Sequence, residues 1–475
     1  MSTLSQLRKR DATSTQVLVI VCAGVVLASL DLFIVNVALP SIARDLHQRS
    51  LGSLSWVLNG YAIVYASLLV VFGRLAEGRS RDGGFLLGVL IFTAASAACG
   101  LASNLAMLVA FRVLQAAGAA LLTPTSLSLV LATTAPDRRP GAVRAWTAVG
   151  GAAAALGPVL GGLLVAAGWR WVFFVNVPIG LAALAIGWRR LPHVPGHPVQ
   201  APDALGALLI TAGIAALTLG LVEGNAWGWG SVRVVAALAA AVVLLGAFVA
   251  RILRHDNPLI EPGLFRIRAF TGSSVVALAF SVAFGAMLLS VVLWMQQVWG
   301  WSALRTGLAL APGPLMVPLF AFLISGRLIA RFGPGRVIGL GSSVYAVGIA
   351  SWALRAGLSP DYAGQVLPGM LLTGAGVGLT LPTFMATGAS ALPPQAFATG
   401  SAVVNMLRQV GLAIGVAVLV AVLGSPRTPA ASLTAFQHGW IVIASVAAGA
   451  ALAGAALLGA GRPRAIFASP VSETR

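Results

Sequence analysis

The chain reads as long apolar runs separated by short polar breaks, the first of them VLVIVCAGVVLASLDLFIVNVALP from Val17 to Pro40. Each run holds about 20 residues, enough at 1.5 Å per residue to cross a hydrocarbon core of about 30 Å as a helix. Apolar and polar positions do not alternate within the runs as they would in membrane β-strands, so helices are predicted rather than a barrel. Fourteen spans follow, numbered from the N-terminus: residues 16–40, 53–73, 84–103, 106–131, 143–167, 171–190, 204–223, 232–252, 270–296, 304–326, 335–356, 363–387, 400–424 and 438–460.

Composition agrees with that pattern. Of 475 residues, 58% are hydrophobic and 9% charged, too few polar groups to cover a soluble globule of that size. An even number of spans puts both termini on one side. Taking that side as cytoplasmic places 21 of the 30 Lys and Arg there and 7 outside, with Arg112 and Arg408 within spans. The positive-inside rule therefore predicts cytoplasmic termini. The net charge of +18 then belongs to short loops beside anionic headgroups, and no basic domain is present to grip nucleic acid. Trp56, Trp169, Trp171, Trp227, Trp229, Trp299, Trp301 and Trp440 fall near outer span ends and are expected to form an interfacial belt. The basic N-terminus with its apolar run superficially resembles a signal peptide, but the run is longer than a signal core and contains Asp31. It is read as a retained first helix. Cys22 and Cys99 lie inside spans, which indicates neither a disulfide framework nor a metal site, and no cofactor is expected.

Two strings recur. Span 2 ends in GRLAEGRSR from Gly73, and span 10 ends in GRLIARFGPGR from Gly326, 253 residues later. Span 4 contains GAALLTP from Gly118, and span 12 contains GVGLTLP from Gly376, 258 residues later. Nearly equal offsets at matching positions imply a duplication in which spans 9–14 repeat spans 1–6, leaving spans 7 and 8 as an insertion. The predicted division is a six-helix half over 1–191, the inserted pair with its linkers over 192–262, and a second six-helix half over 263–475. Parallel halves of this kind are a transporter architecture, with the substrate site near the bilayer midplane between them.

Asp31 is the single acid predicted deep in a span. A charge at that depth costs about 2.5–3.5 kcal/mol on insertion scales and persists mainly where it pairs, lines a wet cavity or carries protons. Asp31 lies about nine residues before the outer end of span 1 and Arg112 about six after the outer start of span 4. Both therefore sit roughly 10–14 Å below the outer surface and can pair. Arg408, in NMLRQVG, has no acid in a neighbouring span segment. It is either a cavity residue that attracts anionic or hydrogen-bond-accepting groups, or a side chain snorkelling to the cytoplasmic surface with Gln409 or a carbonyl as partner. Asn36, Asn59, Gln115, Gln296 and Asn405 join Arg408 as polar candidates for a substrate cavity. In span 5, Gly157, Gly161 and Gly162 expose backbone on one face and Pro158 removes a helix hydrogen bond, which predicts close packing with a bend. The string GAGVG at Gly374 lies inside a span with no strand before it, and there is no P-loop, so no enzymatic chemistry is predicted.

Four motifs in order resemble the fourteen-helix drug:proton antiporters of the major facilitator superfamily, the multidrug and quaternary ammonium resistance type. LDLFIVNVALP (30–40) is similar to the first-helix signature and RVLQAAGAALLTP (112–124) to the fourth-helix Arg motif. GGAAAALGPVLGG (150–162) resembles the fifth-helix motif of exporters, and WRWVFFVNVPIG (169–180) the joint that follows in the fourteen-helix branch. The resemblance implies an all-α membrane protein of major facilitator fold in a bacterial inner membrane, exporting lipophilic organic compounds by alternating access in exchange for protons. It implies that Asp31 exchanges a proton while Arg112 and bound substrate compete for it. A permanent structural ion pair is the alternative. Gly150, Gly157, Pro158, Gly161 and Gly162 would form an antiporter motif that seals against the other half, where ordinary small-residue packing is the alternative. The superfamily's cytoplasmic gate motif is matched by Gly73, Leu75 and Arg81, with Glu77 where Asp is usual. Expected partners are a small lipophilic substrate, protons and the bilayer, without nucleic acid, and a monomer is expected. A dedicated exporter of one self-made metabolite, lipid or siderophore, and a non-transporting membrane scaffold or sensor, are the rival functions.

Overall fold

The computed structural model describes residues 2–78, 80–135, 138–196, 203–392 and 397–459. Among the described residues there is no strand, and fourteen helical segments are long and apolar enough to cross a membrane, one at each predicted span. Span 1 runs Ser14–Asp45 against the predicted 16–40, span 10 Ala303–Phe332 against 304–326, and span 14 Pro429–Leu458 against 438–460. The extra turns carry polar side chains that lower the mean hydropathy while the helical hydrogen bonding continues. Span 10 is divided into Ala303–Leu310, Pro312–Pro318 and Ser325–Phe332, with a wide turn at Leu319–Ile324. Pro312, Pro314 and Pro318 cause this, since each removes a backbone donor from the ladder.

Packing repeats at an offset of eight spans. Span 3 packs on span 4 as span 11 does on span 12, span 1 on span 5 as span 9 does on span 13, and span 3 on span 6 as span 11 does on span 14. The two groups meet through span 2 against span 13 and span 5 against span 10. A duplicated six-helix unit gives this arrangement when its copies face each other about an axis along the bundle. Span 7 (Ala204–Trp227) packs on span 8 (Val232–Arg254) and also against spans 2 and 13, so the insertion lies across the seam between the groups. Asn225 Nδ2 donates to the Ala421 carbonyl at 2.6 Å at one end of that seam, and Arg74 Nη1 to Asn257 Oδ1 at 2.9 Å at the other.

Asp203 fixes the inserted pair internally. Its carboxylate accepts the Gly206 amide at 2.8 Å, capping span 7, and accepts Arg251 Nε of span 8 at 2.8 and 3.0 Å. Burial opposes ionisation of this carboxyl, but the Gly206 amide and the Arg251 guanidinium outweigh it and hold its pKa below the ordinary carboxylate value. Stability from a lowered carboxyl pKa is fully present above the unfolded value and is lost as pH falls through the folded one. Asp203→Ala is therefore expected to cost about 1 kcal/mol at neutral pH, read as a lower melting temperature. The gap from wild type should shrink only below about pH 4. An equal gap at pH 7 and pH 3 would remove the charge from this account.

The expected aromatic belt is corrected by the structure. Trp171, Trp227 and Trp229 are exposed on the bundle surface, but Trp169, Trp299, Trp301 and Trp440 are buried. Trp299, Trp301 and Trp440 join Trp294, Trp352 and Phe436 in an internal cluster with ring centroids 5.1 to 6.1 Å apart. Trp299 Nε1 donates to the Gly357 carbonyl at 3.0 Å and Trp440 Nε1 to Ser290 Oγ at 3.1 Å. Indoles with a satisfied N–H pack well inside a bundle, and a place near a span end does not decide which way a ring faces.

Candidate functional site

Close helix crossings assemble the polar groups. A Cβ on Gly118 of span 4 would stand 2.5 Å from the Phe92 nitrogen of span 3, and one on Gly180 of span 6 would overlap Thr93 Oγ1. Gln115 lies about one turn from Gly118 and Asn176 about one turn from Gly180, so the two crossings bring both amides to Ser96 of span 3. Gln115 Nε2 donates to Ser96 Oγ at 3.1 Å and Asn176 Nδ2 at 3.0 Å. Ser96 in turn donates to the Phe173 carbonyl at 3.0 Å.

Asp31 lies at the centre of this cluster, fully buried. Arg112 Nη1 forms a short ion pair with Oδ2, while Gln115 Nε2 and Asn176 Nδ2 donate to Oδ1 at 2.9 and 3.4 Å. Arg112 Nη1 also donates to Gln115 Oε1 at 2.7 Å and Nε to the Val57 carbonyl at 3.1 Å. The Arg112 guanidinium carbon stands 4.1 Å from the Tyr61 ring centre. Each of these three residues offers the carboxylate a donor. A proton arriving at Oδ2 therefore competes with the Arg112 guanidinium for that oxygen.

Arg112 faces a second way as well. A pocket of about 30 Å³ between spans 1, 2, 9 and 13 is lined by Phe33, Asn36, Asn59, Leu288 and Leu412, among others, and by Arg112 itself. That volume admits water but is far below the roughly 300–1,000 Å³ of sites that enclose drug-sized molecules. Substrate entry into this conformation therefore requires the spans to part. One end is shut by small residues. Cβ atoms on Gly157 and Gly161 would meet Phe33 and Ile34 of span 1, and one on Gly162 would stand 2.7 Å from the Ala303 carbonyl oxygen of span 10. Gly307 of span 10 answers by closing on the Pro158 carbonyl. Toward the other end of span 5, Gly150 faces Val25 of span 1, and a Cβ on Gly151 would meet nothing within 4 Å.

The remaining predicted residues separate. Asn36 and Asn59 line the pocket, whereas Gln115 belongs to the acid cluster. Gln296 donates to the Val37 carbonyl at 3.1 Å, tying span 9 to span 1, and Asn405 donates to Ser401 of its own helix at 3.2 Å. Neither of these lines the pocket, nor does Arg408. In the gate motif, among the described residues, a Cβ on Gly73 would meet only Pro124, Leu75 packs half-buried against the hydrophobic core, and Arg81 Nε is buried without a partner. The side chain of Glu77 lies outside the described residues. Sequence reading does not single out Ser96, Tyr61 or Asn176. For Asn176 the available signal was an amide inside an otherwise apolar helix of the WRWVFFVNVPIG string. Among the described residues, no group of His, Cys, Asp or Glu is placed to hold a metal.

A buried ion pair beside a pocket shared by two repeated helix groups is the arrangement of a polytopic membrane transporter. The chain belongs to the Major Facilitator Superfamily, which it matches over residues 21–416. It is 35% identical over 415 residues to the tetracenomycin C resistance and export protein of Streptomyces glaucescens, covering 86% of this chain and 76% of that one. It is 34% identical to the puromycin resistance protein pur8 of Streptomyces alboniger, covering 93% and 90% of the two chains. To the methylenomycin A resistance protein of Bacillus subtilis (strain 168) it is 33% identical, covering 86% and 87%. A solved auto-inhibited POT family peptide transporter shares the fold at a TM-score of 0.68 and 17% identity, covering 94% of this chain and 98% of that one. The protein is thus a multi-pass protein of a bacterial inner membrane.

Proposed function

We propose that the protein exports lipophilic organic compounds, antibiotics among them, from the cytoplasm or inner leaflet in exchange for protons. The observation that carries this reading is the double position of Arg112, which lines the central pocket and binds Asp31. A substrate that draws the guanidinium into the pocket frees Oδ2 for a proton, and a proton on Asp31 frees the guanidinium for substrate. Such competition couples two ligands through one side chain. The relatives named for tetracenomycin C, puromycin and methylenomycin A support export of antibiotics. The termini are assigned to the cytoplasm, and bodies 1–191 and 263–475 rock about the pocket with 192–262 held across their seam. The protein acts as a monomer and takes no nucleic acid.

One proton moving down about 100 mV and one pH unit releases about 3.7 kcal/mol, enough for a gradient on the order of a few hundredfold in a neutral substrate. A monocation exchanged for one proton is electroneutral and draws only on the pH difference. The test is efflux of a fluorescent lipophilic cation and a panel of neutral antibiotics from pump-deficient cells, with and without a protonophore. Export that stops when the gradient collapses is expected. Export that survives the protonophore would sink proton coupling, and export of no panel member would favour a dedicated cargo.

A further inference from the structure

The strongest unused feature of the molecule is the guanidinium of Arg408. Arg408 is half-buried, its Nε enclosed without a hydrogen-bond partner, and the residue makes no ion pair among the described residues. Gln409, the neighbour that could have served it, has its own Oε1 buried and unpartnered. A cation left without a counter-charge at this depth is costly, and a partner absent from the protein is one way to meet that cost.

The position of Arg408 says where such a partner would come from. Leu412 of span 13 and Ala62 of span 2 both line the central pocket. Arg408 precedes Leu412 by four residues and Tyr65 follows Ala62 by three, so each continues the pocket-facing stripe of its helix by one turn toward the face bearing the termini. Tyr65 is held in place through its hydroxyl, 3.1 Å from Thr123 Oγ1 of span 4. Arg408 on one six-helix group and Tyr65 on the other thus occupy the same level, one turn beyond the pocket, where span 13 packs on span 2.

We propose that Arg408, with Tyr65 at its level across the seam, is a subsite for the anionic group of an exported amphiphile whose apolar body occupies the pocket beside Phe33 and Leu288. The ligand class is a lipophilic carboxylate or a similar oxyanion, which the planar guanidinium fork binds through two parallel hydrogen bonds. The inference rests on the transport reading for its biological meaning. Its geometry is independent of proton coupling. While Asp31 and Arg112 remain paired and neutral as a unit, Arg408 sets the charge preference of the site, and it favours anions and zwitterions over dications. An organic anion leaving against one entering proton also draws twice on the membrane potential, which suits a cargo that must be cleared far from equilibrium.

The test uses purified full-length protein in detergent and two fluorescent probes that differ by one charge and one methyl group, N-dansyl-leucine and its methyl ester. Wild type is expected to bind the acid about tenfold or more tighter than the ester. Arg408→Gln should abolish that preference while leaving ester affinity within about twofold, since the apolar contacts are untouched. Arg408→Met, an apolar chain of similar length that a membrane interior accommodates readily, is the second uncharged variant if the glutamine does not yield folded protein. A wild type that binds acid and ester alike overturns the proposal, as does an uncharged variant that keeps the preference. Binding in detergent needs no gradient. If export survives a protonophore while the charge preference still depends on Arg408, proton coupling falls and the subsite stands.

Discussion

Asp31→Asn is expected to reduce gradient-driven efflux to the background of cells carrying no transporter, and to end substrate-dependent proton movement. Among the groups joined to Asp31 by hydrogen bonds, the carboxylate alone can gain and lose a proton while Arg112 keeps its charge, because the amides of Gln115 and Asn176 do not ionise. Loss of function alone would not separate coupling from structure. Removing the acid leaves the Arg112 guanidinium buried without its counter-charge, and breaking a buried pair typically costs about 3–5 kcal/mol. Lower abundance of the single variant is therefore expected as well. The double variant Asp31→Asn/Arg112→Gln removes both charges and keeps amides able to hydrogen-bond Gln115 and the Val57 carbonyl. It should recover abundance without recovering transport, when efflux is compared at matched membrane levels. If the double variant exports as wild type does, the pair is a structural element and another carboxylate, such as Glu223 in span 7, must carry the proton.

The pairing of Asp31 with Arg112 was legible in the sequence because it follows from two span ends and a fixed rise per residue. The rest of the cluster was not. Ser96 and Asn176 reach Asp31 only because Gly118 and Gly180 let spans 4 and 6 lie against span 3, and a sequence shows small residues without showing what they touch. The tryptophans failed for a related reason: hydropathy fixes how deep Trp440 lies, while its rotation about the helix axis decides between lipid and core. Polar residues in spans gave mixed results on the same grounds. Asn405 is satisfied by the carbonyl one turn behind it, a local bond open to any such side chain, whereas Asn59 faces the pocket. The duplication was legible from two strings, yet the place of spans 7 and 8 was not, since neither string lies in them.

Gly162→Val is expected to lower efflux by about tenfold or more without altering the pocket. A side chain there would stand 2.7 Å from the Ala303 carbonyl oxygen and 3.0 Å from Leu304 Cα, and both obstacles are backbone that no rotamer change can clear. Spans 5 and 10 must separate to admit it, and every 1.4 kcal/mol of strain shifts the closed population about tenfold. Alternating access needs each face to close in turn, so a seal that cannot close leaves substrate free to return. Gly151→Ala is the contrasting change. Its Cβ would meet nothing within 4 Å, and alanine is the better helix former, so export should be unchanged and stability equal or slightly higher. Thr306, fully buried in span 10 near this contact, supplies the direct readout. In a chain lacking Cys22 and Cys99, Thr306→Cys should react slowly with a polar maleimide, and much faster once Gly162→Val is added. Equal labelling with normal export would mean that transport does not pass through the closed contact between Gly162 and Ala303, and the seal would have to be sought where span 2 meets span 13.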